Sequence, residues 1–118
     1  MDNTNNNDKL YSNNLKKIVV LIKNYEENYY TKKYNDSLYN LKMIVKLTNN
    51  TNKKSKYYTY MKKLYAKYMH ELGDLYQKLQ LFDNAIYCYK NVLEIESYKT
   101  TIEIINRQVS ICYFKKNL

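Results

Sequence analysis

The chain has no proline, no tryptophan, a single glycine (Gly73) and a single histidine (His70) in 118 residues. Tight turns draw on proline and on residues that tolerate positive φ, so these absences argue against a β-sandwich or an α/β fold and favour helices joined by Asn- and Asp-bearing turns. One glycine leaves no glycine-rich phosphate loop. Around the one histidine, no Ser/His/Asp or Cys/His set can be nominated beyond coincidence, so enzymatic function is not expected. Neither a cofactor nor a metal is expected, because Cys88 and Cys112 fit no metal or redox spacing and sit among apolar residues as core thiols. The longest aliphatic run, residues 18–22, is far too short for a membrane span. The opening Met1-Asp2-Asn3-Thr4-Asn5 has no signal-peptide pattern, so the expected location is cytoplasmic or nuclear rather than secreted.

Asn, Lys, Tyr and Ile together supply 61 residues, all with A/T-rich codons, and 16 residues are tyrosines. Hydrophobic residues make up 45%, enough for one modest core. The net charge of +9 is uneven: residues 1–70 hold 14 lysines against 5 acids, whereas residues 71–118 hold 6 of each sign. Attraction to polyanions therefore belongs to the N-terminal part.

Residues 1–12 are Asn-rich and read as a disordered tail, with Ser12 as the N-cap of the first helix. Ile18, Ile22, Tyr25 and Tyr29 recur on one helical face, which predicts that helix over 13–31. After a short turn, Leu38, Leu41, Ile44 and Val45 predict an antiparallel helix over 36–48, closing a hairpin over 13–48. A polar loop spans 49–55, and a long apolar pattern from Tyr57 to Leu79 predicts a third helix over 56–79. Asp83 is the expected N-cap of a fourth helix over 84–95, and the capping box Thr100-x-x-Glu103 opens a fifth over 100–116. The inner stripe of this fifth helix is read as Ile105, Val109, Cys112, Tyr113 and Phe114. The fold class is thus all-α, built of antiparallel hairpins in about five helices, as one folded body over 13–118.

Met69-x-x-Leu72-Gly73-x-x-Tyr76, followed by Ala85-x-x-x-Tyr89, resembles the tetratricopeptide repeat over 66–99, within a 56–99 segment. Met69 replaces the usual Trp and Ser97 the usual Pro. A mid-helix glycine costs roughly 1 kcal/mol against alanine, so Gly73 needs a packing reason; the expected one is a close helix crossing with Ala85. A shift of 48 residues lays Tyr34–Lys42 over Phe82–Lys90 and puts Ser37 at the small position of Ala85. The earlier hairpin is then a degenerate repeat, with Tyr25 or Glu26 where Gly73 would fall. The segment 100–116 is a capping helix.

The resemblance implies an α-solenoid fragment that binds another protein, a peptide or helix, in a groove lined by the first helix of each repeat. The groove positions are Ile22, Glu26 and Tyr29, then Lys67, His70, Asp74 and Gln77, then Arg107 and Ile111. The basic clamp that such repeats use on acidic chaperone tails is absent, since Ile22 and Glu26 stand at its first positions. Stable solenoids generally need about three repeats or more, so attachment to a larger complex or a homo-oligomer is expected. The alternative is RNA binding through the Lys/Tyr-rich segment 53–67.

Overall fold

The structure, a computed structural model, describes residues 3–49 and 51–118, with side chains from residue 8 onward. It is all-helical, with no strand among the described residues. The five helices are α1 (Asn3–Tyr30), α2 (Tyr34–Asn49), α3 (Tyr58–Lys78), α4 (Phe82–Leu93) and α5 (Lys99–Lys116). The chain divides into two compact units, 1–65 and 66–118, with the division inside α3.

In the first unit α1 packs against α2. Tyr11 and Ile18 are buried seven residues apart on α1, and Ser37, Leu41, Ile44 and Thr48 line the facing side of α2 at spacings of four, three and four. Ile18, Leu41 and Ile44 are at most 1% exposed, each contributing about 1.5–3 kcal/mol through burial. Two polar residues inside this seam are satisfied across it. Ser37 Oγ donates to the Tyr25 carbonyl at 3.3 Å, and Asn28 Nδ2 donates to Asn40 Oδ1 at 2.8 Å.

The segment expected as a disordered tail is helical from Asn3, so Ser12 lies inside α1 rather than capping it. The Tyr11 hydroxyl accepts the Asn52 backbone N–H at 2.7 Å, and Asp8 Oδ1 accepts the Ser55 hydroxyl at 2.6 Å. Ser55 shapes the turn that leads into α3: its Oγ accepts the Tyr57 N–H and its carbonyl the Tyr58 N–H, both at 3.1 Å. The start of α1 is therefore fastened to the loop that begins α3.

The two helical hairpins turn by the same main-chain bonds. Lys32 (φ 64°) and Gln80 (φ 63°) take the left-handed conformation that closes a Schellman motif. Lys33 N–H donates to the Asn28 carbonyl and Lys32 N–H to that of Tyr29; Leu81 and Gln80 repeat this onto Tyr76 and Gln77. Ser37 N–H to Lys33 and Ala85 N–H to Leu81, both 3.0 Å, begin the second helices in step. Every one of these bonds recurs at an offset of 48 residues. Ser37 and Ala85 are both fully buried, as are Leu41 and Tyr89 four residues on.

Helix starts in the second unit differ from expectation. Residue 81 precedes α4 with no side-chain cap, which puts Asp83 in the first turn, where its charge meets the helix dipole. Likewise Tyr98 precedes α5, so Thr100 and Glu103 form no capping box. Glu96 Oε1 instead accepts the N–H groups of Ser97 and Tyr98, at 3.0 and 3.1 Å.

Candidate interaction face

On the second-unit part of α3, Lys67, His70, Asp74 and Gln77 recur at spacings of three, four and three, which places them on one face. Beneath that face lies Tyr89 of α4, fully buried. Its hydroxyl sits 2.6 Å from Asp74 Oδ1 and 2.9 Å from Gln77 Oε1, and the one phenolic proton goes to the carboxylate. His70 stacks edge-on against the same ring with centroids 5.8 Å apart, and its Nε2 lies 3.7 Å from Asp74 Oδ1. Three of the four residues expected to meet a partner thus also hold a buried tyrosine in place.

Gly73 supplies the room for that tyrosine. A Cβ built on Gly73 would stand 2.7 Å from Tyr89 Cε1 and 2.9 Å from Cδ1. The close crossing expected between Gly73 and Ala85 is therefore a contact of Gly73 with the Tyr89 ring, one turn further along α4. Ala85 is fully buried, but it is not among the atoms nearest to Gly73.

Burial pushes the Tyr89 phenol well above its ordinary value, and the nearby Asp74 carboxylate pushes it further. The folded state keeps this proton where the unfolded chain releases it, near pH 10. Stability is therefore fully present below that pH and falls as the pH rises through it. In a spectrophotometric titration one tyrosine should ionise only together with alkaline unfolding, and Tyr89→Phe should remove that late component.

The third set, Arg107 and Ile111, lies on α5. That helix buries Ile105 and Cys112 completely against α4 and leaves Ile104, Arg107 and Ile111 exposed on the other side. Tyr113 and Phe114, read from the sequence as part of the inner stripe, are 43% and 68% exposed. One and two residues past Cys112, each about 100° further round, they turn away from the buried line. Tyr113 nonetheless has a partner, since Lys90 Nζ donates to its hydroxyl at 2.9 Å. Lys116 meets Asp83 at 2.6 Å, so α4 and α5 are tied twice along their rim. An open depression of about 550 Å³ is lined by Gln77, Phe82, Lys115 and Leu118 among others, so Gln77 borders a cavity as well as the tyrosine.

Of the first-unit positions, Ile22, Glu26 and Tyr29 share one face of α1, half-buried at Ile22 and exposed at the other two. The Tyr29 ring packs against Tyr25 and Tyr34, with centroids 6.1 and 5.6 Å apart. Sequence reasoning missed Ile104, Phe114 and Leu118 as exposed apolar groups on the second unit; the seven-residue spacing from Ile104 to Ile111 was the signal available. Among the described residues no group of three or more His, Cys, Asp or Glu side chains is placed to hold a metal ion, and no helix is long and apolar enough to cross a membrane. No family model, curated protein or solved structure matches the chain.

Proposed function

We propose that the chain is a non-enzymatic interaction module of tetratricopeptide-like build, which binds a partner peptide or helix within a larger assembly. One observation carries this reading. Ile104, Ile111 and Phe114 are 43, 37 and 68% exposed on a helix whose other side is already buried, and Leu118, two residues past its end, is 90% exposed. Apolar groups gathered in water on one element cost free energy that a partner would recover, and such patches mark interaction surfaces. Arg107 and Lys115, beside the stripe, favour a partner with acidic flanks. Lys67, His70, Asp74 and Gln77 offer polar contacts on α3, with Asp74 fixed by its bond to Tyr89.

A photo-crosslinking residue placed at 111 in the expressing cell, against one at the more exposed Tyr87 of α4, tests the reading. A discrete adduct is expected from position 111 and not from 87, and Ile104→Glu should abolish it with the circular dichroism unchanged. Equal, diffuse labelling at both positions would remove the basis for this function.

A further inference from the structure

The first unit holds 13 lysines against 5 acids, the second 7 basic residues against 6. Part of that excess converges. An open depression of about 400 Å³ is lined by Lys9, Ser12, Asn13 and Lys16, which share one face of α1, and by Lys56 and Tyr57 just before α3. Asp8 also borders it, but its carboxylate is committed elsewhere. It accepts the Ser55 hydroxyl at 2.6 Å and sits by the start of a 21-residue helix, where the dipole favours negative charge. Lys9, Lys16 and Lys56 are exposed and make no ion pair among the described residues; Lys56 Nζ stands 5.3 Å from the Tyr57 ring centroid. Three lysines at one depression repel one another by more than the single Asp8 carboxylate offsets, and an anion between them relieves that repulsion.

We propose that this depression is a phosphate-binding site for single-stranded nucleic acid. Ser12 and Asn13 add neutral donors between Lys9 and Lys16, matching a phosphate's several acceptor oxygens. The cationic track outruns the depression, which favours a strand over a small free anion. Lys23 follows Lys16 by seven residues along α1 and is exposed. On α3, Tyr60 is 56% exposed and Lys63 is exposed three residues on. An exposed ring between cations is a stacking platform for an unpaired base, the usual partner of a basic track in sequence-tolerant single-strand binding. The stretch 53–67 thus divides: Met61 is fully buried, while Tyr60, within the apolar pattern that begins at Tyr57, faces water.

Fluorescence anisotropy with a labelled decauridylate RNA and the full chain tests the proposal. Three engaged phosphates should give a log–log salt slope of about −2 between roughly 50 and 200 mM salt. Lys9→Gln/Lys16→Gln/Lys56→Gln should weaken binding by about tenfold or more and flatten the slope. Tyr60→Ala should weaken it severalfold while leaving the slope alone. Lys78→Gln/Lys99→Gln in the second unit should leave RNA binding unchanged, and circular dichroism confirms that each variant folds. Loss of binding in the second-unit variant equal to that in the triple variant would overturn the site, since it would reduce the attraction to bulk charge. Displacement of the RNA by AMP or inorganic phosphate as effectively as by unlabelled RNA would overturn the strand as ligand. Equally effective displacement by polyglutamate would overturn nucleic acid altogether.

Discussion

Gly73→Ala is expected to destabilise the chain by about 1–2 kcal/mol although alanine is the better helix former. The propensity gain is roughly 1 kcal/mol, so the steric cost must exceed it to set the sign. The geometry says that it does. A methyl group 2.7 Å from Tyr89 Cε1 and 2.9 Å from Cδ1 is closer than carbon atoms tolerate. Relief would require the ring to move, yet Tyr89 is fully buried and its hydroxyl is fixed by Asp74. Gly73→Leu should cost about 3 kcal/mol or more, since a whole side chain has no space to enter. The cause can be isolated by repeating Gly73→Ala in a Tyr89→Leu background. With the ring gone, the same substitution should turn neutral or stabilising, and the sign change is a coupling that only contacting residues show. Urea unfolding of the four proteins gives the answer. A Gly73→Ala chain more stable than its parent would mean that the ring has free space, and the packing derived for α3 and α4 would fail.

Deleting residues 1–12 should lower the melting temperature of the first unit by more than about 10 °C. The deletion removes a tyrosine that is only 9% exposed, worth about 2 kcal/mol of burial. It leaves the Asn52 N–H without the Tyr11 oxygen and Ser55 without Asp8, at about 1 kcal/mol each. A unit of this size shifts by about 4–8 °C for each kcal/mol, so these losses sum to a large effect. Tyr11→Phe separates the parts, because it keeps the ring and loses only the 2.7 Å bond; about 1 kcal/mol is expected. Differential scanning calorimetry of the full, shortened and Tyr11→Phe chains makes the comparison. An unchanged midpoint in the shortened chain would restore the reading of this segment as a dispensable tail.

The difference between what the residues announced and what they did follows a physical line. Periodicity within one helix was legible: Leu41 and Ile44, Ala85 and Tyr89, Ile105 and Cys112 are buried as their spacing requires. The 48-residue offset was legible too, because Tyr34–Lys42 and Phe82–Lys90 keep the same small and apolar positions. What could not be read locally was any role set by a distant partner. Tyr11 stands among polar residues, and its burial depends on a loop some forty positions away. Gly73 announced a close approach without saying whose, and the small Ala85 was the simpler guess until the Tyr89 ring claimed the space. Good capping residues at Asp83 and Thr100 fell one or two places inside their helices, since neighbouring backbone geometry decided where each began. For the candidate site, helix faces were legible for Lys67 to Gln77, but their engagement with Tyr89 was not.

Because the two hairpin turns share main-chain bonds and almost no side chains, the direction of each bend is insulated from most point changes. Lys32 and Gln80, Lys33 and Leu81, Asn28 and Tyr76 occupy matching places, and the N–H and C=O groups that close the turn belong to any of them. Substitution by residues other than proline or the β-branched ones can therefore run through these positions while the turn keeps its bonds. The faces carried by those helices are then at liberty to diverge, one towards lysine and the other towards balanced charge. A turn of this kind behaves as a mould that preserves posture and releases chemistry, so likeness between two such hairpins is better sought in the bonding of the bend than in shared letters.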